Sequence, residues 1–224
     1  FSIFFVSNVE FFLGVAPCIK FKRFGLEIDC TELVEKSIRE SIQAKKDILS
    51  DPKLVDIISS VSELVKDSLR DGKRVFFAGN GGSAADAQHL AAEFVSRFQF
   101  DRPGLPALSL STDTSILTAI GNDYGYELLF QRQLKAQSSV GDVFFGLTTS
   151  GKSKNIIAAF EVCDSLGIES IALCGLSGKI DSVARHVVRV PSHHTPRIQE
   201  CHILIGHIIC EYVEKQLFGD LLET

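Results

Sequence analysis

Short apolar runs, each about as long as a β-strand, recur along the chain after residue 73, and they constrain its fold more than any other feature. Segments with apolar residues at helical spacing separate most of them. Such alternation is typical of an α/β fold, in which helices cover a parallel sheet on both faces. Ligands of these sheets bind at the carboxyl ends of the strands. The runs are RVFFAG (74–79), PALSLS (106–111), DVFFGLTTS (142–150), SIALCG (170–175) and HVVRVP (186–191).

The residues before the first run differ in character. Two amphipathic helices are predicted within residues 28–72, from the segments ELVEKSIRESIQAKKDIL and VDIISSVSELVKDSLRDG. We therefore predict an N-terminal helical extension over 28–72 and a ligand-binding domain over 73–224, closed by a helix at about 197–218. Residues 1–27 are rich in Phe but interrupted by Glu10, and we interpret them as an atypical leader without an assigned function.

Composition narrows the classes of function. The chain has 224 residues, of which 45% are hydrophobic, so it is long enough for one sizeable core. Its formal net charge of −5 and the lack of a basic run argue against a nucleic-acid partner. It has no run of 18 uninterrupted apolar residues, so we expect no membrane partner. Its six cysteines form no CxxC pair, and we expect buried, reduced thiols in a cytoplasmic protein.

The first Gly-rich loop leads into a helix that carries two polar side chains. In GNGGSAADAQHLAAEF (79–94) the glycines and the helix N-terminus favour a bound anion, although an ordinary strand-to-helix turn would have the same sequence. His89 and Glu93 are four residues apart and share one face of the helix. This spacing suits two ligands of one metal ion or an acid–base pair. Each residue taken singly has a structural explanation as well.

A second loop, GLTTSGKS (146–153), matches the Walker A pattern of nucleotide-binding proteins. A nucleotide hydrolase of that class also needs an apolar strand that ends in an Asp for magnesium, and neither following strand supplies one. We therefore reject nucleotide hydrolysis. The hydroxyl groups beside a helix N-terminus suit a single phosphate monoester instead, and they belong to Thr148, Thr149, Ser150 and Ser153.

Two further segments contain candidate site residues that the pattern alone leaves undecided. Asn122 and Asp123 can bind sugar hydroxyls or can form a simple turn. In the last helix, Gln199 and His207 compete with Glu200 and His202 for a place in the site. Helical periodicity does not choose between these pairs.

Several stretches in the same order resemble the SIS-domain phosphosugar isomerases, and within them the sedoheptulose 7-phosphate (phosphoheptose) isomerases, from about residue 29 to 216. This resemblance implies a flavodoxin-like, three-layer α/β/α fold with a five-stranded parallel sheet, and a homotetramer with its N-terminal helices packed together. The matching stretches are GNGGSAADAQHLAAEFVSRF, RPGLPALSL, LTAIGNDYGYE, GDVFFGLTTSGKSKN and RIQECHILIGHIICE.

The resemblance also implies roles for individual residues. Glu93 matches the general base of the family and His207 its general acid. Lys152 departs from the family, which commonly has Asn there, and this departure creates the Walker-like string. The metal ligands, for one zinc ion per subunit, match His89, Glu93, Gln199 and His207. The substrate contacts match Asn80, Gly81, Gly82, Glu93, Asn122, Asp123, Thr148, Thr149, Ser150, Ser153 and Gln199.

The reaction that the resemblance implies converts sedoheptulose 7-phosphate to D-glycero-D-manno-heptose 7-phosphate through an enediolate, in a pathway that supplies activated heptose for surface polysaccharide such as lipopolysaccharide. The alternative is a non-catalytic SIS-domain protein that binds a replication initiator or senses phosphosugars. The intact set of matched metal ligands favours the isomerase.

The position of the site in the oligomer follows from the spacing on the last helix. Gln199 and His207 would lie about 12 Å apart along a regular helix, which is far for two ligands of one ion. We therefore expect either an irregular helix near Gln199 or ligands from neighbouring subunits, and we predict active sites at subunit interfaces and an inactive isolated monomer.

Overall fold

The computed structural model describes residues 4–6, 9–11 and 29–222. Contacts divide the chain into a unit of residues 1–36 and a unit of residues 37–224. In the first unit, strands β1 (Phe4–Val6) and β2 (Val9–Phe11) form a short antiparallel pair. The remainder of the predicted leader lies outside the described residues.

Two helices occupy the predicted N-terminal extension, α1 (Cys30–Leu49) and α2 (Pro52–Arg70). Asp51 caps α2, since its side chain accepts hydrogen bonds from the backbone N–H groups of Lys53 and Leu54 at 3.0 and 3.3 Å. The helix therefore begins at Pro52, directly after its capping residue. Buried apolar residues of α2, such as Val61 and Val65, belong to the main hydrophobic core.

A five-stranded, all-parallel sheet forms the centre of the second unit, as predicted. The spatial order of its strands is β4-β3-β5-β6-β7, which is the flavodoxin-like order. All five strands overlap the predicted apolar runs. They are β3 (Val75–Ala78), β4 (Ala107–Ser109), β5 (Val143–Thr148), β6 (Glu169–Cys174) and β7 (His186–Arg189).

Side chains alternate between the two faces of the sheet and build a core on each side. Phe77 stacks on Phe145 on one face, with ring centroids 5.1 Å apart. Phe144 packs edge-on against Phe160 on the other face, at 5.3 Å. Apolar residues of α2, α3 (Gly82–Val95) and α7 (Thr195–Phe218) complete the first core. The helices of the opposite layer complete the second, which confirms the three-layer α/β/α prediction; they are α4 (Thr114–Asp123), α5 (Leu129–Gln137) and α6 (Lys154–Leu166).

The connection between β4 and β5 contains the segment where the sequence left a turn open. The structure divides this connection into α4, a short 3-10 helix (Tyr126–Leu128) and α5. The break occurs at Gly125, whose φ of 89° lies in the left-handed region that glycine tolerates best.

The strand order places a topological switch point between β3 and β5, where the chain leaves the sheet in opposite directions. The Gly-rich loop follows β3, and the Ser/Thr-rich loop follows β5. Both predicted anion-binding loops therefore lie at the edge of the sheet where ligands of such folds bind.

Of the five cysteines that the structure describes, four are buried as predicted and one is not. Cys163, Cys174, Cys201 and Cys210 are buried free thiols, whereas Cys30 is exposed. Burial raises the pKa of Cys163 to about 12 and that of Cys174 to about 11, so both thiols stay protonated at neutral pH. In the described part of the chain, no helix combines the length and apolar character that crossing a membrane requires.

Candidate active site

The helices α3 and α7 approach each other closely at one point, and this contact creates the candidate site. A Cβ atom on Gly206 would lie only 2.4 Å from Cδ2 of Leu90. Glycine at this position lets the helices come this near without displacing the buried Leu90 side chain. The residues next to this contact, His207 on α7 and His89 on α3, are thereby brought face to face.

Three of the predicted metal ligands meet there. Nε2 of His89 lies 2.9 Å from Nε2 of His207 and 3.1 Å from Oε1 of Glu93. One ligand atom from each residue falls within a group no wider than 4.8 Å. His89 is exposed, and Glu93 and His207 are partly buried. Two imidazole nitrogens and a carboxylate oxygen form a donor set that zinc commonly takes.

The surroundings of His207 favour its neutral form. Burial lowers the pKa of His207 and the neighbouring His89 lowers it further, while the Glu93 carboxylate acts in the opposite direction. The ring of Phe98 packs against the His207 ring with centroids 5.3 Å apart. A neutral imidazole at neutral pH retains a free nitrogen lone pair, which a metal or a proton can occupy.

Gln199, the fourth predicted metal ligand, does not belong to the cluster of His89, Glu93 and His207. A Cβ atom on Gly82 would come within 2.4 Å of Nε2 of Gln199, so the Gln199 amide rests on the first turn of α3. The expectation of an irregular helix near Gln199 is wrong, because α7 is a continuous α-helix from Thr195 to Phe218. The two remaining candidates on α7 lie apart from the cluster: His202 is fully buried, and Glu200 pairs with Arg197 at 2.7 Å. Burial lowers the pKa of His202 to about 4.

One step of the subunit-interface argument needs correction. Neighbouring subunits are not required to unite Glu93 with His207, because a single chain brings both residues to His89 through the close contact of α3 and α7.

The loop after β5 presents hydroxyl groups at the start of α6. The hydroxyls of Thr148 and Ser153 are 3.1 Å apart, and Ser150 accepts a hydrogen bond from the backbone N–H of Lys152 at 3.2 Å. Ser153 occupies the N-cap position, but its side chain makes no capping bond. Its hydroxyl bonds to that of Thr148 and keeps further hydrogen-bonding capacity for a ligand beside the helix N-terminus. Thr149 is half-buried in the same loop, and the Lys152 side chain is exposed.

The Gly-rich loop after β3 carries Asn80, Gly81 and Gly82 to the start of α3. Gly81 is the N-cap residue and, lacking a side chain, leaves the helix N-terminus open to a ligand. Asn122 and Asp123 lie exposed at the last turn of α4, where Nδ2 of Asn122 donates to Oδ1 of Asp123 at 2.7 Å.

Two residues that the sequence did not single out belong to this region. Asn155 and Tyr126 both hydrogen-bond to the side chain of Asn80. Tyr126 is part of the GNDYGYE stretch, so its neighbourhood was a candidate. Asn155 carries no such signal, because a single buried amide in a helix has no sequence pattern.

Comparison with known proteins identifies the group to which the chain belongs. The family model described as SIS domain matches residues 37–175. A phosphoheptose isomerase of Campylobacter jejuni is 57% identical over 181 residues, which cover 80% of this chain and 90% of that protein. One from Aneurinibacillus thermoaerophilus is 54% identical over 188 residues, covering 84% and 95%.

Solved structures agree with these sequence matches. The phosphoheptose isomerase of Neisseria gonorrhoeae superposes with a TM-score of 0.77 at 39% identity, and that of Francisella tularensis with 0.79 at 32%. Each match covers 84% of this chain and all of the other. The chain therefore belongs to the SIS-domain family, and within it to the phosphoheptose isomerases.

Proposed function

We propose that the chain is an aldose–ketose isomerase that converts sedoheptulose 7-phosphate to D-glycero-D-manno-heptose 7-phosphate, in the cytoplasm, and so supplies activated heptose for surface polysaccharide. The observation that carries the proposal is the cluster of His89, Glu93 and His207 on α3 and α7, together with the two predicted anion-binding loops at the switch point of the sheet. Acid–base groups beside a phosphate site are what an isomerase of phosphosugars needs.

Proton transfers between adjacent carbons make up the reaction. The Glu93 carboxylate takes a proton from C1 of the ketose while the carbonyl oxygen at C2 gains a proton, which produces the enediol. A proton then leaves the hydroxyl on C1 and another returns to C2, which gives the aldose. His207 donates the proton to the oxygen on C2 and accepts the proton from the oxygen on C1, since a neutral imidazole can both donate and accept a proton.

We also propose that zinc binds at the cluster, one ion per subunit. His89, Glu93 and His207 would hold it. The family resemblance implies Gln199 as a fourth ligand, although within one chain its amide lies against Gly82, at the first turn of α3. Nε2 of His89 and Nε2 of His207 lie 2.9 Å apart, so the two rings would supply neighbouring nitrogen donors to a metal ion. When bound, the ion polarises the substrate carbonyl and stabilises negative charge on its oxygen.

A homotetramer with active sites at subunit interfaces is the remaining part of the proposal. Its support is an apolar surface formed by α1, α2 and α7, where Leu49, Val55 and Ile208 are exposed. Ile208 directly follows His207, so this surface and the cluster lie at the same level of α7 but on different faces of the helix.

An isomerase assay with and without chelation tests the function. We expect the purified chain to convert sedoheptulose 7-phosphate, to lose this activity after treatment with a chelator, and to regain it when Zn²⁺ is added back. Folding should survive chelation because the core does not depend on the cluster, and circular dichroism checks this. No turnover with any divalent metal would instead support the non-catalytic alternative.

The phosphate loop makes a separate kinetic prediction. Ser153→Ala should raise KM about tenfold and change kcat little, because hydrogen bonds to a charged group contribute about 1.5–3 kcal/mol and phosphate contacts hardly change along the reaction. Steady-state kinetics measure both constants. Ser165→Ala, at the opposite end of α6, is the matched control and should leave both unchanged. A fall in kcat alone would argue against a phosphate contact at Ser153.

A further inference from the structure

Three side chains from three different connections meet at the switch point of the sheet. Asn80 follows β3, Tyr126 lies in the 3-10 helix between α4 and α5, and Asn155 lies in the first turn of α6 after β5. Nδ2 of Asn80 donates to Oδ1 of Asn155 at 3.0 Å, and Nδ2 of Asn155 donates back to Oδ1 of Asn80 at 2.8 Å. The hydroxyl of Tyr126 also donates to Oδ1 of Asn80, at 2.8 Å.

The hydrogen bonds to Asn155 and Tyr126 determine which donor and acceptor positions of the Asn80 amide remain for a ligand. An amide oxygen accepts two hydrogen bonds, and both positions on Oδ1 of Asn80 are filled, by Asn155 and by Tyr126. An amide nitrogen donates two, and one of these goes to Asn155. In this orientation Asn80 keeps a single N–H and no acceptor. It can therefore meet a ligand only as a hydrogen-bond donor.

Asn80 borders open space. A cavity of about 320 Å³ is lined by Asn80 together with Gly79, Gly81, Ser111 and Tyr126. Asn155, by contrast, is 3% exposed and is not one of the residues that line this cavity. A ligand in the cavity can therefore reach Asn80 directly, but not Asn155.

The contribution of Tyr126 differs from that of a structural cross-link. Its side chain is exposed, and the preceding helix α4 has no buried residue. A hydrogen bond in such a position adds little to the stability of the fold, because water competes for both partners. Its specific effect is to occupy the second acceptor position of Asn80.

We propose that Asn155 and Tyr126 are positioning residues, which saturate the carbonyl oxygen of Asn80 so that its amide presents one N–H to an oxygen atom of the bound phosphosugar. This inference rests on the proposed function. A phosphate oxygen and a sugar hydroxyl oxygen are both acceptors of the required kind. A site arranged in this way discriminates against a ligand that offers only a donor at that point.

Two substitutions test the inference. Tyr126→Phe removes one bond to Oδ1 of Asn80 and frees that acceptor, and we expect KM for sedoheptulose 7-phosphate to rise about fivefold, as the loss of one hydrogen bond predicts. Asn155→Asp keeps the size of the side chain but sets a carboxylate oxygen against Oδ1 of Asn80, and KM should rise about tenfold or more. For both variants kcat should stay within about threefold of the parent.

Tyr124→Phe is the matched control. Tyr124 is also exposed, and its ring packs under the guanidinium of Arg132 at 3.6 Å, a contact that phenylalanine retains. Inhibition by inorganic phosphate shows whether the Asn80 N–H contacts a phosphate oxygen or a sugar hydroxyl oxygen. If the inhibition constant rises together with KM, the N–H contacts the phosphate; if only KM rises, it contacts a hydroxyl of the sugar.

Parent-like KM values in Tyr126→Phe and Asn155→Asp, in an otherwise active enzyme, would refute the positioning role and leave the proposed function standing. A lower melting temperature with unchanged KM would likewise assign the contacts to stability alone. If Asn155→Asp does not fold, Tyr126→Phe decides the question. A parent chain that neither binds nor converts sedoheptulose 7-phosphate would refute the proposed function and the inference with it.

Discussion

Glu93→Gln is expected to lower kcat by about a thousandfold while the protein stays folded, because the amide keeps the shape of the side chain but does not accept a proton from carbon. Only part of the Glu93 side chain is exposed, and its contact with His89 at 3.1 Å is with the imidazole rather than with the core. The replacement therefore removes the proton-accepting carboxylate and changes the packing little. Steady-state kinetics and circular dichroism on the same preparation measure the two effects.

Glu161→Gln is the control for this experiment, because it makes the same change on an exposed position of α6. It should leave kcat unchanged. Measurement of bound zinc in the Glu93 variant separates loss of the base from loss of the metal. If Glu93→Gln kept more than about a tenth of the parental kcat, Glu93 would not be the general base.

Glu214→Ala is expected to destabilise the protein by about 3–5 kcal/mol, which is the usual result of leaving one charge of a buried pair without its partner. The side chains of Glu214 and Arg102 are each 1% exposed, and Nε of Arg102 lies 3.1 Å from Oε1 of Glu214. The carboxylate also accepts the backbone N–H groups of Phe98 and Gln99 at 2.8 and 2.7 Å. All of these bonds are lost together.

The same pair joins the two helices of the site. Arg102 donates to the backbone carbonyls of Glu93 and Phe94 at the end of α3, and Glu214 is a residue of α7. Urea unfolding at a fixed protein concentration measures the effect. Glu211→Ala, which removes an exposed pair with Lys215 on the same helix, should cost no more than about 1 kcal/mol. Equal costs for the two variants would contradict the special role of the buried pair.

Strands were the most predictable part of the fold, because residues buried on both faces of a parallel sheet form unbroken apolar runs. The run that contains Phe144 and Phe145 marks β5 without any knowledge of its neighbours. The break at Gly125 was left undecided, since the sequence allowed a simple turn at Asn122 and Asp123 without requiring one. Apolar periodicity continues on both sides of it, and the positive φ of one glycine leaves no trace in that periodicity.

The site was only partly predictable. His89 and Glu93 share a helix, so their spacing fixes their common face. The pairing of His89 with His207 depends on the contact of Gly206 with Leu90, which is a property of two helices far apart in sequence. No local pattern records such a contact, and only resemblance to a family favoured His207 over His202. The structure explains why His202 does not join the cluster, since its side chain is fully buried in the core.

The long separation of the two histidines has a consequence during synthesis. His89 and His207 are 118 positions apart in the sequence. While the ribosome is still making the protein, His89 and Glu93 emerge well before their partner on α7. A growing chain can fold much of its N-terminal part before that point. The candidate centre is therefore assembled only after α7 has been made, and fragments that end before α7 lack it.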